Sequence, residues 1–249
     1  MKKALRVFLG IVFFLVVAGG VLFFVMNKSL PEGQEGPEAE RLADKMLTAV
    51  NAEAWEEVKF IEWDFPRGHH LFWDRERHLG EVKWDGYRVL VDPNTLRGIA
   101  YSGTEKLTGE EQQAKVDKAM QLFWNDSFWL MGFLKVRDPG TTRKLVITEE
   151  GEEALLVTYA TGGVTPGDSY LWLLDPSGRP RAWQMWVNIV PIGGAEFTWE
   201  DWYALPNGAM VAPTHANPLF NVDLLDIKIG NSLSEMGRST DIFAELINN

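Results

Sequence analysis

The chain has 249 residues, no cysteine, eleven tryptophans and a formal net charge of −11, and 46% of it is hydrophobic. That length allows one large domain or two small ones, and the apolar content is that of a packed protein rather than a disordered one. Without cysteine there can be no disulfide, thiolate nucleophile, Cys-bound zinc or lipid-modified N-terminal cysteine. The acidic balance argues against nucleic acid, or anionic head groups recognised through overall charge.

Lys2, Lys3 and Arg6 precede an uncharged run from Val7 to Met26. About 20 such residues span a hydrocarbon core as a helix. Cleavage after Ala18-Gly19-Gly20 would leave the apolar stub Val21 to Val25, so residues 1–28 read as an uncleaved signal anchor rather than a signal peptide. The positive flank keeps the N-terminus cytoplasmic and puts the rest outside, in a bacterial periplasm or cell envelope. Residues 1–31 carry four positive charges and no acid, which leaves −15 for the remainder. Residues 29–37, rich in Pro, Gly and Glu, read as a linker, and 38–249 as one extracytoplasmic domain.

An amphipathic helix is expected over 38–50 and a helical turn at Trp55. Strands follow over 58–64, 69–74, 78–84, 87–92 and 96–101, with Asp85-Gly86 as the strongest hairpin signal. Thr108 and Glu111 fit a capping box for a second helix reaching about Trp124. The stretch NDSFWLMGFLKV reads as a helical turn and then a strand. More strands are expected over 143–148, 154–161, 169–174, 181–187, 196–203, 210–215 and 222–229, and a short amphipathic segment over 241–247. Alternation fails in 181–187, which marks a bulge or a strand covered on both faces. The sum is a mainly β (α+β) domain: a single curved antiparallel sheet, or half-barrel, with helices in its concave face.

The opening helix, the meander, the hairpin VKWDGYRV, the mid-chain helix and the late hairpin LLDPSGRP together resemble the LolA/LolB-like exported proteins. These are lipoprotein carriers, their receptor and related lipid-binding proteins. The resemblance covers roughly residues 38–230. It implies an incomplete antiparallel barrel lidded by helices around an apolar cavity. The anchor, the missing cysteine and the tryptophan load depart from that family. Blocks such as FWDRERH, NDSFWL and TPGDSYLW are similar to a group of tryptophan-rich envelope proteins without assigned activity.

Nine tryptophans lie on or near expected strands. Trp63, Trp73, Trp84, Trp129, Trp172 and Trp186 are the candidate walls of a pocket for a hydrophobic or amphiphilic ligand; the plainer reading is a large core. The second candidate is a metal or hydrolytic site built from His70, His78 and Asp74, with His69, Glu76 and the distant His215 nearby in type. Its plainer reading is a solvated charged hairpin. Asn125-Asp126-Ser127 and the segment 165–169 could each aim a carboxylate and a hydroxyl into a cavity, or simply satisfy backbone donors at turns. Gly162-Gly163 and Gly193-Gly194 lack the residues of a phosphate loop, and no G-x-S-x-G elbow occurs. No catalytic residue and no cofactor follow from the sequence. The third reading is an envelope interaction module without a small ligand.

Overall fold

Hairpins set the architecture. The computed structural model describes residues 13–14, 27–161, 166–190 and 192–248. The expected anchor at 7–26 thus lies outside the described residues, apart from Phe13 and Phe14. Among the described residues no helix is long and apolar enough to cross a membrane.

Helix α1 (Pro37–Ala49) starts on Pro37 with Glu38 and Glu40 in its first turn. Both features suit the electropositive end of a helix. Its apolar stripe, Ala39, Leu42, Ala43 and Met46, is buried. A short α2 (Ala52–Glu56) leads into β1 (Phe60–Phe65), β2 (His69–Asp74), β3 (Leu79–Trp84), β4 (Tyr87–Asp92), β5 (Arg97–Ser102) and β6 (Glu105–Lys106). The β3–β4 turn places Asp85 and Gly86 at φ +46° and +79°, the left-handed pair that a two-residue hairpin demands.

Helix α3 (Gly109–Met131) crosses this sheet and continues into a 3-10 helix, Gly132–Arg137. The helix is seven residues longer than its sequence indicates, and the strand expected after Phe128-Trp129 does not form. Thr108 occupies the N-cap without a side-chain cap bond, so the capping box is not made. Then come β7 (Thr141–Ile147), β8 (Glu153–Tyr159), β9 (Ser169–Leu174), β10 (Pro180–Trp186) and β11 (Ala195–Thr198). The remaining strands are β12 (Tyr203–Ala204), β13 (Met210–Val211), β14 (Thr214–Ala216), β15 (Asn221–Asp223) and β16 (Leu225–Gly230), and α4 (Ala244–Ile247) follows.

The expected single sheet is in fact two principal antiparallel sheets. One runs β16-β1-β2-β3-β4-β5-β6 and the other β11-β10-β9-β8-β7; two-strand ribbons β12-β13 and β14-β15 complete the fold. No barrel closes. The ribbon β14-β15 bridges the gap between the sheets: Thr214 pairs with Glu200 just beyond β11, and the chain passes from β15 directly into β16. The break falls where the long strands expected at 196–203, 210–215 and 222–229 split into short pieces.

One core fills the space between the sheets. It gathers Leu42 and Met46 of α1, Val116, Met120 and Phe123 of α3, Ile61, Trp63, Leu71 and Val82 of the first sheet, and Leu155, Trp172 and Trp183 of the second. Glycines let α3 sit close. A Cβ at Gly98 would lie 2.6 Å from the Leu90 carbonyl oxygen and 2.9 Å from Val116. A second cluster covers the opposite face of the first sheet, where Phe60, Phe72, Leu79, Leu90 and Ile99 meet Met236, Phe243 and Leu246 of the C-terminal segment. Arg238 fixes that segment, lying over the Phe72 ring at 3.8 Å and 3.2 Å from Glu81. Burial pushes the Glu81 carboxyl up, but Lys83, Arg88 and Arg238 together outweigh it and hold the pKa below the usual value.

Candidate functional site

A cavity of about 420 Å³ lies where the C-terminal half of α3 passes between the two sheets. That volume falls within the range of about 300–1,000 Å³ usual for small-molecule sites. The first sheet contributes Trp73, the helix Phe123, Trp124, Phe128 and Trp129, and the second sheet Tyr159, Tyr170, Trp183 and Met185. The loop after β10 adds Val187, Ile189 and Val190. Eight of the lining residues are aromatic.

Their packing is set by strand register and helix phase. Tyr170 stands opposite Met185, and Trp172 opposite Trp183, across β9 and β10. Phe128 stacks on Trp183 at 5.6 Å and meets Tyr170 at 4.8 Å and Tyr159 at 5.5 Å. On the other side Phe123 meets Trp73 edge-on at 5.2 Å. These are ordinary aromatic pair geometries, so the walls are braced from behind.

Polar side chains interrupt the rings, among them Asn94, Asn125, Ser127 and Thr161. The indole nitrogens of Trp73 and Trp183 and the Tyr159 hydroxyl are buried with no hydrogen-bond partner. Burial pushes the Tyr159 phenol well above its usual pKa, with Tyr170 and Asp138 adding to the shift, and it also raises that of Tyr170. Both phenols are therefore neutral over the physiological range. Lys135 and Asp138 line the cavity from the 3-10 helix and its end, 3.4 Å apart. Asp168 lines it too and accepts the Asn188 backbone N–H at 3.1 Å.

Two of the six tryptophans expected as walls, Trp73 and Trp129, line the cavity. Trp63 and Trp172 are sealed in the core at 0% exposure and Trp84 is buried at 8%. Trp186 donates through Nε1 to the Lys28 carbonyl at 2.8 Å, tying down the chain before α1. Trp124 and Trp183 line the cavity and were not among the expected six. The signal for Trp183 was its position opposite an aromatic strand, which the irregular 181–187 pattern concealed.

The histidines and carboxylates do not converge. His70 pairs with Asp64 at 2.6 Å. Asp74 is buried, accepts the Arg77 backbone N–H and takes its guanidinium at 2.6 Å. His78 sits in the turn at φ +57° and lines the cavity edge. Among the described residues no group of three or more His, Asp or Glu is placed to hold a metal ion. His69 instead reaches Asp126 of α3, Nδ1 to Oδ2 2.8 Å. Burial raises the Asp126 pKa, partly opposed by His69 and Asn125. The pair ties β2 to the helix. Ser127 donates to the Trp124 carbonyl and Ser169 bonds Thr158 at 2.8 Å, while Thr165 lies outside the described residues.

No family model and no curated protein matches this chain. Similar solved structures include a putative outer membrane lipoprotein-sorting protein domain from Vibrio parahaemolyticus, at 12% identity and TM-score 0.39, covering 82% of this chain and 98% of that one. Another is a DUF1329 family protein from Desulfovibrio piger, at 8% identity and TM-score 0.44, covering 80% of this chain and 96% of that one. The first belongs to the class that the sequence pattern resembles. At these identities and scores neither likeness bears on what this chain binds.

Proposed function

We propose that residues 38–249 form an extracytoplasmic domain that reversibly binds a hydrophobic or amphiphilic, lipid-like molecule, tethered by the apolar run 7–26. The observation that carries this reading is the ring-lined cavity between the sheets. An apolar chain entering it would leave water for a wall of aromatic side chains that are already packed in place. Ten buried CH₂ groups contribute about 8 kcal/mol, against an association cost of about 4–15 kcal/mol. The chain term alone thus gives weak binding, as exchange between carriers requires.

The path of the chain supports the tethered geometry. The Lys28 backbone N–H donates to the Gly193 carbonyl at 2.9 Å, and Lys28 accepts from Trp186. The loop holding Lys28 also supplies Val187, Ile189 and Val190 to the cavity. The peptide leaving the apolar run therefore emerges beside the cavity rim, where a ligand from the bilayer would arrive. Ile189, at 64% exposure, is an apolar contact at that rim.

The test uses the full chain in lipid nanodiscs with a photoreactive diazirine fatty acid, followed by peptide mapping. Label is expected on peptides holding 123–129, 159, 170 and 183–190. The variant Val187→Trp is expected to lower that label more than about tenfold, because displacing two CH₂ groups costs about 1.6 kcal/mol. Label spread evenly over the surface, or unaffected by Val187→Trp, would contradict the reading.

A further inference from the structure

Beside the aromatic cavity lies a second one of about 430 Å³, and the two share Trp73, His78 and Lys135. The second is lined by charge: Lys59, Arg75, Glu56, Glu57 and Glu76 complete its wall with Val58. Lys59 is spoken for by Glu76 at 3.4 Å, and Glu56 and Glu57 are exposed at the outside. Arg75 differs from every other cation there. It is partly buried, and its Nη1 donates to the carbonyls of Trp55 and Val58. Its guanidinium carbon lies 5.7 Å from the Trp73 ring centre and 5.9 Å from that of Trp55. Among the described residues no carboxylate lies within ion-pair distance of it.

A buried cation normally has an acid as partner, because leaving water is costly unless a counter-charge replaces it. Here the backbone carbonyls and ring faces hold Arg75 in place, Glu56 attracts it from the rim without reaching it, and among the described residues its other guanidinium N–H groups have no acceptor. Lys135, at the boundary of the two cavities, has among the described residues the 3.4 Å contact with Asp138 as its one ion pair. Trp73 forms the partition, with its ring shared by the apolar chamber and the arginine. The same wall carries Glu56, Glu57 and Glu76, so the corner is mixed in charge, and what singles out Arg75 is its anchoring by carbonyls and ring faces.

Building on the binding reading above, we propose that the ligand is an anionic amphiphile, its chain in the aromatic cavity and its carboxylate or phosphate head at the junction, held by Arg75 and Lys135. The planar fork of Arg75 suits two oxygens of either head, and His78 stands at the same edge.

Three photoreactive probes with one diazirine tail test this on the full chain in nanodiscs: a fatty acid, the matching fatty alcohol, and the matching phosphate monoester. The acid or the phosphate is expected to label the cavity peptides about tenfold more than the alcohol, the factor for one charge-assisted hydrogen bond. Whichever of the two is stronger identifies the head. Arg75→Gln and Lys135→Gln should each remove that preference, bringing acid and phosphate labelling down to the level of the alcohol; Lys135→Gln covers the case in which Arg75→Gln disturbs α2. Equal labelling by alcohol and anions, or variants that lower all three alike, overturns the head-group site and leaves the cavity reading standing. Absence of cavity label with every probe overturns both.

Discussion

Replacing Trp183 by alanine is expected to destabilise the domain by about 3–5 kcal/mol, the cost of emptying a large aromatic site. Trp183 is fully buried and is the ring on which the second sheet meets the helix. It contacts Phe128, Trp129, Tyr170, Trp172 and Trp199 at 5.6, 5.0, 4.9, 5.0 and 5.0 Å. None of those neighbours can move into the gap without abandoning another ring. Total stability is about 5–15 kcal/mol for a typical domain, so the variant should melt about 10 °C or more below the native chain. Near-ultraviolet circular dichroism of the full chain reads this directly. Trp186→Ala is the control. It removes one hydrogen bond and the half-buried ring's packing on the small outer cluster of the same strand, and should cost less than Trp183→Ala. Equal losses for the two would mean that the aromatic cluster is not what joins sheet and helix.

The second large effect is on acid stability. His215 is fully buried, with its ring 4.3 Å from that of Trp199 and 5.4 Å from that of Trp129, and its Nδ1 is 3.2 Å from the Thr198 carbonyl oxygen. Burial lowers its pKa from 6.5 to about 4, despite backbone carbonyls that favour the charged form. The native state therefore keeps a neutral imidazole where the unfolded chain takes up a proton. Between pH 6.5 and about 4 the unfolded state binds more protons, so stability falls as the pH falls and levels off below 4. The full loss from this one group is about 3 kcal/mol. Urea unfolding of the native chain and His215→Gln at pH 7.5, 6, 5 and 4 measures it. The two stability curves should converge on acidification, because only the native chain carries this penalty. Parallel curves would contradict the assignment.

What the sequence made legible, and what it hid, can be traced to particular residues. The first five strands and their turns were readable because Asp85-Gly86 and Pro66-Arg67-Gly68 punctuate them. The length of α3 was not. Asn125, Asp126 and Ser127 favour turns when their side chains must find partners locally. In the fold Asp126 finds His69 on β2 and Ser127 turns back to the Trp124 carbonyl, so the helix runs on to Met131. The partner that permits this is 57 residues away in sequence.

The failed alternation in β10 has two physical causes. Its register with β9 shifts between Pro180 and Ala182. Both of its faces are also covered, Trp183 in the main core and Ala182 in a small cluster with Leu156 and Leu171. That double cover hid the phase of Trp183. The first sheet shows the same effect, since Met236, Phe243 and Leu246 cover its outer face and local periodicity carries no trace of so distant a segment. The abundance of tryptophan pointed to a ring-lined space, but strand parity alone does not separate a cavity wall such as Trp73 from a sealed core residue such as Trp63. The Arg75 site was missed because Arg75 lies in a run of charges, Asp74 to Arg77, that reads as a solvated turn. Only the fold shows that Asp74 is buried on Arg77 and that Arg75 turns inward between Trp55 and Trp73.

The space between the sheets is expected to accept an apolar chain, and its own walls can report it. Trp73, Trp124, Trp129 and Trp183 line the cavity, so a chain carrying bromine near its middle would quench their fluorescence on contact. The full chain in nanodiscs should show quenching that saturates with added brominated fatty acid. Unbrominated fatty acid should reverse it. Quenching that rises linearly without saturation, or that no competitor relieves, would mean that the bromine meets these rings only from the surrounding bilayer, and that the cavity stays closed to the chain.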